Sequence, residues 1–228
     1  MNLNGFGAML PVWKLQQTDI FMDWSFRQNW DEFTWSKEIR KDELRIAGYF
    51  RTLPSCLDLP GEDEMIFNRL MNQPEMVPSG VSDPQRMLKS ELEQAAEEEA
   101  EWDEERRENR RRNAFEATRR VENLAREWNL LSASRFDQSA TRGVLSVCCS
   151  LGKILSRAYN FEETDDAEDT LNLRISLLKR MLADVNEAVQ SLNDFSKEYT
   201  FDRLDEFCNT LAFVRENVLD KLKTLRDK

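Results

Sequence analysis

All six prolines of this chain lie within its first 84 residues, and Pro84 is the last of them. From Gln85 onward the only glycines are Gly143 and Gly152. Inside a helix, proline is less favourable than alanine by about 3 kcal/mol and glycine by about 1 kcal/mol. The sequence therefore predicts a long helical region after Pro84 and a less regular region before it.

The helical region carries four apolar stripes with the three- and four-residue spacing of amphipathic helices. Each stripe is expected to form the buried side of one helix. The stripes are Ala114, Ala117, Val121, Leu124, Trp128 and Leu131; Val144, Val147, Leu151, Ile154, Ala158 and Phe161; Leu171, Ile175, Leu178, Leu182, Val185, Val189 and Leu192; and Leu204, Cys208, Leu211, Val218, Leu222 and Leu225, with Phe207 and Val214 widening the last.

Short breaks separate these stripes, at residues 132–137, 160–169 and 199–200. Long helices joined by short connections pack antiparallel to their neighbours. We therefore predict an all-α fold, an antiparallel four-helix bundle with an elongated charged first helix and an irregular aromatic N-terminal region. The second helix of the bundle is almost uncharged from Gly143 to Ser156, and we expect it to be the most enclosed.

The distribution of proline and glycine also predicts how the chain is organised. Residues 73–84 contain three prolines and a glycine, which is typical of a linker. We predict an aromatic-rich region at 1–72 with one or two helices, a Pro-rich linker at 73–84 and a helical bundle at 85–228. Within the first region, helices are expected inside 18–48 and 61–72.

The N-terminal region contains four of the six tryptophans, namely Trp13, Trp24, Trp30 and Trp35. Two interpretations fit this cluster. Trp24, Phe26, Trp30 and Phe33 can form a small core packed on the bundle, or the segment from Trp13 to Trp35 can anchor in grooves of another protein, since tryptophan is enriched among residues that dominate interfaces. We expect a mixture, with one side of the segment packed and Trp13 left to contact another chain.

A run of acidic residues precedes a run of arginines. Residues 91–105 hold nine acids and no base, and residues 106–120 hold seven arginines against two glutamates. Ion pairs four residues apart, Asp103–Arg107, Glu108–Arg112 and Glu116–Arg120, favour a solvated, charge-paired rod that projects beyond the bundle. The candidate partner-binding residues in this run are Arg106, Arg107, Arg110, Arg111 and Arg112.

Catalytic and metal-binding motifs are few in this sequence. The chain has no histidine, which excludes histidine-dependent triads and zinc sites. Its cysteines, Cys56, Cys148, Cys149 and Cys208, form no CxxC pair, and we expect buried, reduced thiols. Asp165, Asp166 and Asp169 resemble the DDxxD motif with which all-α isoprenoid synthases hold Mg²⁺, although acids are also favoured at any helix N-terminus.

These observations predict a non-enzymatic protein-interaction or scaffold protein with a protein partner or a second copy of itself, and with no cofactor or bound metal. One alternative is nucleic-acid or ribonucleoprotein binding through the Arg106–Arg120 helix, although the net charge of −11 does not favour it. The other is a Mg²⁺-dependent diphosphate enzyme that uses the three aspartates at 165, 166 and 169. No secretory signal or membrane-spanning stretch is visible, so we expect an intracellular protein, cytoplasmic or nuclear.

Overall fold

The computed structural model describes residues 30–57, 59–79 and 104–227 of the chain. These residues form helices and turns and contain no strand, which confirms the predicted all-α class. The helices are α1 (Glu32–Thr52), α2 (Glu62–Met71), α3 (described over residues 104–112), α4 (Glu116–Arg135), α5 (Thr141–Glu163), α6 (Leu171–Glu198) and α7 (Leu204–Arg226). Single 3₁₀ turns occupy Leu53–Ser55 and Gln138–Ala140.

The described residues belong to two compact units. Residues 40–79 lie in the first unit, whereas residues 30–39 and 104–227 lie in the second. The helix α1 therefore contributes its first turns to the second unit and its remainder to the first. The sequence-based division into 1–72, 73–84 and 85–228 stays a prediction.

The first unit has a small core between α1 and α2. Cys56, Ile66 and Leu70 are buried at its centre. A Cβ atom at Gly48 would lie 2.7 Å from Cδ2 of Leu70, so the glycine in mid-helix permits this close packing. The helix α2 falls inside the range predicted for a short helix, and its N-cap Gly61 has a φ of 73°, which favours glycine.

The described part of the predicted linker, residues 73–79, follows the side of α1. The Lys41 ammonium donates to the Val77 carbonyl at 3.0 Å and to the Ser79 hydroxyl at 2.9 Å. The Arg45 guanidinium donates to the Met76 carbonyl at 2.6 Å. These bonds fix the main chain of a segment whose composition alone indicates a connector.

In the second unit, α4 packs against α5 and α7, and α6 packs against the same two helices. The buried residues follow the predicted registers. The fully buried members include Val121 and Trp128 of α4, Val147, Leu151, Ile154 and Phe161 of α5, Leu178, Val185 and Leu192 of α6, and Phe207, Leu211, Val214 and Val218 of α7. Each of the four predicted stripes therefore supplies buried residues to the core, although Ala114, the first residue of the first stripe, is exposed and lies outside α4.

The core ends in an aromatic cluster around Trp128. Its ring lies 5.1 Å from Phe195, 5.5 Å from Phe201 and 6.1 Å from Phe207 between centroids, each pair edge to face. The indole Nε1 donates to the Val144 carbonyl at 3.2 Å, so the polar end of this buried tryptophan is satisfied.

The predicted elongated first helix is wrong, because the chain leaves helical geometry between α3 and α4. Phe115 has an extended conformation, with φ −123° and ψ 122°, and α4 begins only at Glu116. The physical reason is that Asn113 and Phe115 both bond to the end of α5, as described below. A continuous helix would have to give up these tertiary bonds.

The expectation that α5 is the most enclosed helix is also wrong. Leu145 is 55 % exposed, and Cys149 and Gly152 are exposed as well. The helix α5 packs against α4 and α6. Leu145, Cys149 and Gly152 lie on a side that faces solvent, next to the exposed Arg142. The prediction that all four thiols are buried therefore fails at Cys149, while Cys56 is buried and Cys148 and Cys208 are half-buried.

Candidate interaction surfaces

The helix α3 is attached to the end of α5 by two asparagines. The Asn109 amide donates to the Glu163 carbonyl at 3.1 Å, and the Asn113 amide donates to the carbonyls of Glu162 at 3.1 Å and Thr164 at 2.8 Å. Asn109 and Asn113 are four residues apart and both are buried. The last carbonyls of a helix lack partners within it, so these amides complete the C-terminus of α5.

The side chain of Glu162 joins the same end of α5 to the start of α4. Its Oε1 atom accepts hydrogen bonds from the Phe115 main-chain N–H at 2.9 Å and from the Thr118 hydroxyl at 2.7 Å. Burial raises the pKa of Glu162 above its usual range, and the two donors oppose that rise. The Phe115 ring packs on Phe161 with centroids 5.7 Å apart.

A buried arginine completes this junction. Arg174, 1 % exposed, forms an ion pair with Asp166, and it donates to the Asn113 side-chain oxygen at 3.3 Å. Its guanidinium lies 4.7 Å from the centroid of the Phe161 ring. Burial lowers the pKa of Arg174, and the charge of Asp166 opposes that change. The guanidinium of Arg174 and the carboxylate of Asp166 therefore form an ion pair at the junction of α3, α5 and α6.

The aspartates of the DDxxD motif do not come together as a metal site. The carboxylate of Asp166 forms an ion pair with Arg174. Across the described ranges, no group of three or more cysteine or carboxylate side chains is placed to hold a metal ion.

Of the predicted arginines, Arg107, Arg111 and Arg112 lie on sides of α3 away from the two asparagines, whereas Arg106 and Arg110 lie closer to them. Arg107 and Arg112 have side chains 62 % and 61 % exposed, Arg111 is exposed and Arg106 is half-buried. Arg110 turns back toward α5, where it pairs with Glu163 and lies 4.8 Å from the centroid of the Tyr159 ring.

Two of the three predicted ion pairs are confirmed. Arg112 pairs with Glu108 at 3.1 Å, and Arg120 pairs with Glu116 at 2.9 Å. The third, Asp103–Arg107, lies outside the described residues because of Asp103. The expectation of a rod that projects from the bundle is wrong for residues 104–113, since both asparagines tie this segment to α5.

Of the four tryptophans of the N-terminal candidate site, the structure describes Trp30 and Trp35, and the Trp30 carbonyl accepts a hydrogen bond from Asn172 of α6 at 3.1 Å. Trp30 and Trp35 contact each other with centroids 4.9 Å apart and an interplanar angle of 62°. Trp35 is 4 % exposed and Trp30 is half-buried. Trp13 and Trp24 lie outside the described residues. The expectation that Phe33 belongs to the packed core is wrong, because its ring is 81 % exposed while Trp35, two residues on, is buried.

The sequence analysis did not identify the residues that hold α3 against α5 and the start of α1 against α6. These residues are Asn109, Asn113, Glu162, Arg174, Asn172, Ser176 and Lys179. The one available signal was the pair of asparagines four residues apart inside a run of charges. A pair of short amides on one helix face indicates contact with main chain rather than with solvent.

Comparisons of the chain with protein-family models, with curated protein sequences and with solved structures gave no match. No helix among the described residues has the length and apolar content that a membrane crossing requires.

Proposed function

We propose that this protein is a non-enzymatic interaction protein that binds an acidic protein surface through the arginines of α3. In this proposal α4 to α7 form an antiparallel four-helix bundle in up-down-up-down order, and the bundle serves as the rigid support for α3. The proposal extends to an intracellular setting, in the cytoplasm or the nucleus.

Contacts between neighbouring helices support the antiparallel arrangement. Thr118, at the start of α4, bonds to Glu162 at the end of α5, and Trp128, near the end of α4, bonds to Val144 near the start of α5. The next pair of helices shows the same sense, because Ser146 of α5 lies 3.3 Å from the Ser191 hydroxyl of α6. These contacts support opposite directions for α4 and α5 and for α5 and α6.

The observation that carries the binding proposal is the double anchoring of α3. Its buried asparagines fix one side of the helix, and the arginines on the other sides stay accessible to a partner. Residues 104–120 hold seven arginines and four glutamates within a chain of net charge −11. A local basic surface on an acidic protein favours an acidic partner by electrostatic complementarity.

The ion pairs of α3 and α4 weigh against the nucleic-acid alternative. Arg107, Arg112 and Arg120 each pair with a glutamate of their own helix, at 3.4, 3.1 and 2.9 Å. Paired arginines have less charge to offer to a phosphate backbone. Phe115 is half-buried, and the rings of Tyr159 and Phe213 already lie against Arg110 and Arg120, so these rings are poorly placed to stack on a base. The Mg²⁺-enzyme alternative has less support, since Arg174 occupies Asp166.

A charge-reversal experiment tests the proposal. The triple variant Arg107→Glu, Arg111→Glu, Arg112→Glu is compared with a matched triple, Arg126→Glu, Arg142→Glu, Arg215→Glu, at exposed positions outside α3. Binding to a fluorescein-labelled 20-residue glutamate-rich peptide and to a single-stranded RNA is measured by anisotropy. We expect the α3 variant to lose about tenfold in affinity for the peptide, while the matched variant changes little.

Two results would contradict the proposal. In the first, the wild-type protein binds the RNA with a steep salt dependence and ignores the acidic peptide, which would favour the nucleic-acid alternative. In the second, both triple variants weaken peptide binding equally, which would mean that net charge rather than α3 governs the interaction.

A further inference from the structure

Two exposed arginines of α3 are already paired with glutamates of the same helix. The Arg107 guanidinium donates to Glu104 at 3.4 Å, and the Arg112 guanidinium lies 3.1 Å from the carboxylate of Glu108. All four side chains are between 61 % and 65 % exposed, so both pairs form in contact with solvent. A carboxylate of a partner can bind either arginine only in competition with the glutamate beside it.

Two further arginines of α3 are less accessible. Arg110 forms an ion pair with the buried Glu163 of α5, and its guanidinium lies 4.8 Å from the centroid of the Tyr159 ring. Arg106 is half-buried. These two side chains therefore offer less free charge to a partner than their number in the sequence indicates.

Arg111 differs from the other four arginines of α3. Its side chain is exposed, and within the described ranges it forms no ion pair or hydrogen bond. Glu108 lies three residues before it but pairs with Arg112 instead. A glutamate four residues before an arginine is the favourable arrangement on a helix, which explains this choice. The charge of Arg111 is thus not neutralised within the chain.

Arg111 also lies on the side of α3 opposite to its attachment. It is two residues after Asn109 and two residues before Asn113, and both asparagines are buried. With a rotation of about 100° per residue, Arg111 lies about 180° from the midpoint between them. Their amides donate to carbonyls at the end of α5, which fixes the orientation of α3. A partner therefore meets Arg111 on a helix that is already positioned, and this lowers the entropic cost of binding.

We propose that Arg111 anchors the acidic partner of α3 and that Glu104 and Glu108 restrain the neighbouring arginines by competing with the carboxylates of that partner. This inference rests on the proposed function, because it names the residue that binds the acidic surface. A carboxylate binds Arg111 without displacing any group of the chain, whereas at Arg107 or Arg112 it replaces an existing ion pair. The gain in binding free energy is therefore largest at Arg111.

Two arginine variants of the full chain test the anchor, with the fluorescein-labelled glutamate-rich peptide as the probe and anisotropy as the measurement. Arg111→Gln and Arg107→Gln remove the same charge from the same side of α3, but only the second arginine is already paired. We expect about a fivefold loss of affinity for Arg111→Gln and less than about a twofold loss for Arg107→Gln. Circular dichroism establishes that each variant keeps its helix content.

Two glutamate variants test the restraint. Glu108→Gln releases Arg112 and should tighten peptide binding by about threefold. Glu105→Gln is the matched control, because it removes the same negative charge from an exposed position of α3 that pairs with no arginine among the described residues. We expect it to tighten binding by less than about 1.5-fold.

The possible results separate this inference from the proposed function. If the wild-type protein binds the peptide but Arg111→Gln and Arg107→Gln weaken binding equally, the anchor is not Arg111, while the function proposed for α3 stands. Equal tightening by Glu108→Gln and Glu105→Gln would assign the effect to net charge and overturn the restraint. A wild-type protein that does not bind the peptide would overturn the proposed function and the inference together.

Discussion

The Oε1 atom of Glu162 accepts a hydrogen bond of 2.7 Å from the hydroxyl of Thr118, which joins the last turn of α5 to the first turn of α4. The same oxygen accepts the Phe115 N–H, so it satisfies one of the free N–H groups at the start of α4. The break between α3 and α4 is thus a consequence of tertiary hydrogen bonding. Two predictions follow from this junction, the first at Asn113 and the second at Glu162.

Replacement of Asn113 by alanine should destabilise the protein. The Glu162 and Thr164 carbonyls would lose their donor at a buried site, and a buried unsatisfied group costs about 1 to 3 kcal/mol. We expect the free energy of unfolding, measured by urea denaturation, to fall by about that amount. As a control, Asn123→Ala on the exposed side of α4 should change it by less than about 0.5 kcal/mol. Equal effects of the two variants would contradict the anchoring role of Asn113.

The stability of the protein should depend on pH through Glu162. Burial raises the pKa of this carboxyl in the folded state above its ordinary value of 4.5. A raised pKa means that the folded state favours the protonated form, so the contribution of Glu162 to stability is complete below pH 4.5 and is lost as pH rises through the folded-state pKa. Glu162→Gln keeps an acceptor oxygen and removes the titration.

Urea denaturation at pH 4.5, 6 and 7.5 measures this effect. The difference in unfolding free energy between wild type and Glu162→Gln should change in favour of the variant as pH rises. The control Glu216→Gln, at a side chain 66 % exposed, should follow the wild type at all three values. If the Glu162→Gln curve stays parallel to that of the wild type, the pKa of Glu162 is not raised by folding.

The sequence predicted which sides of α4 to α7 are buried. Apolar residues at helical spacing fall on one side of a helix, and removal of that side from water stabilises the fold. Val121, Trp128, Leu151 and Leu211 are buried at the positions that their periodicity indicates. The ends of these helices were also close to the predicted breaks, since residues such as Thr164 and Thr200 are poor continuations of an apolar stripe. Local pattern suffices where burial of an apolar side decides the structure.

The candidate surfaces were less predictable, because they depend on contacts between residues far apart in the sequence. The arginine run was visible, but the attachment of α3 depends on carbonyls of α5, which have no sequence signature. Trp30 was assigned to a partner-binding cluster by composition, whereas in the structure its carbonyl accepts a hydrogen bond from Asn172 of α6. Hydrogen bonds to main chain can be made by many residue types, so a single sequence does not reveal them.

The two glycines of α5 should respond in opposite ways to the same substitution. A Cβ atom at Gly143 would lie 2.7 Å from Cδ2 of Phe195, while one at Gly152 would have no neighbour within 4 Å. Gly143→Ala forces the buried Phe195 ring to move, and overpacking of this kind costs about 1 to 3 kcal/mol. Gly152→Ala should stabilise the protein by about 0.5 to 1 kcal/mol, the advantage of alanine inside a helix.

Thermal denaturation of the two variants provides the measurement, and each is the control of the other. The midpoint should fall for Gly143→Ala and rise for Gly152→Ala. A rise in both would show that Phe195 adapts to the added methyl group without cost. A fall in both would mean that the exposed side of α5 is covered in solution.

Of the aromatic residues at the start of α1, we expect the buried ones to stabilise the fold and the exposed one to serve binding instead. Trp35 is 4 % exposed, and truncation of a buried tryptophan costs about 3 to 5 kcal/mol. Trp35→Ala should therefore lower the thermal midpoint by many degrees, and Trp30→Ala, at a half-buried ring beside it, should lower it by less. Phe33→Ala should leave the midpoint within about 2 °C of the wild type, because its ring is 81 % exposed.

Calorimetry of the three variants, with helix content checked by circular dichroism, distinguishes packing from docking. A Phe33→Ala protein that melts like the wild type and self-associates less would assign the exposed ring to an interface, since an exposed aromatic surface promotes association. If Trp35→Ala melts at the same temperature as the wild type, burial of the Trp35 ring contributes nothing to the stability of the protein in solution.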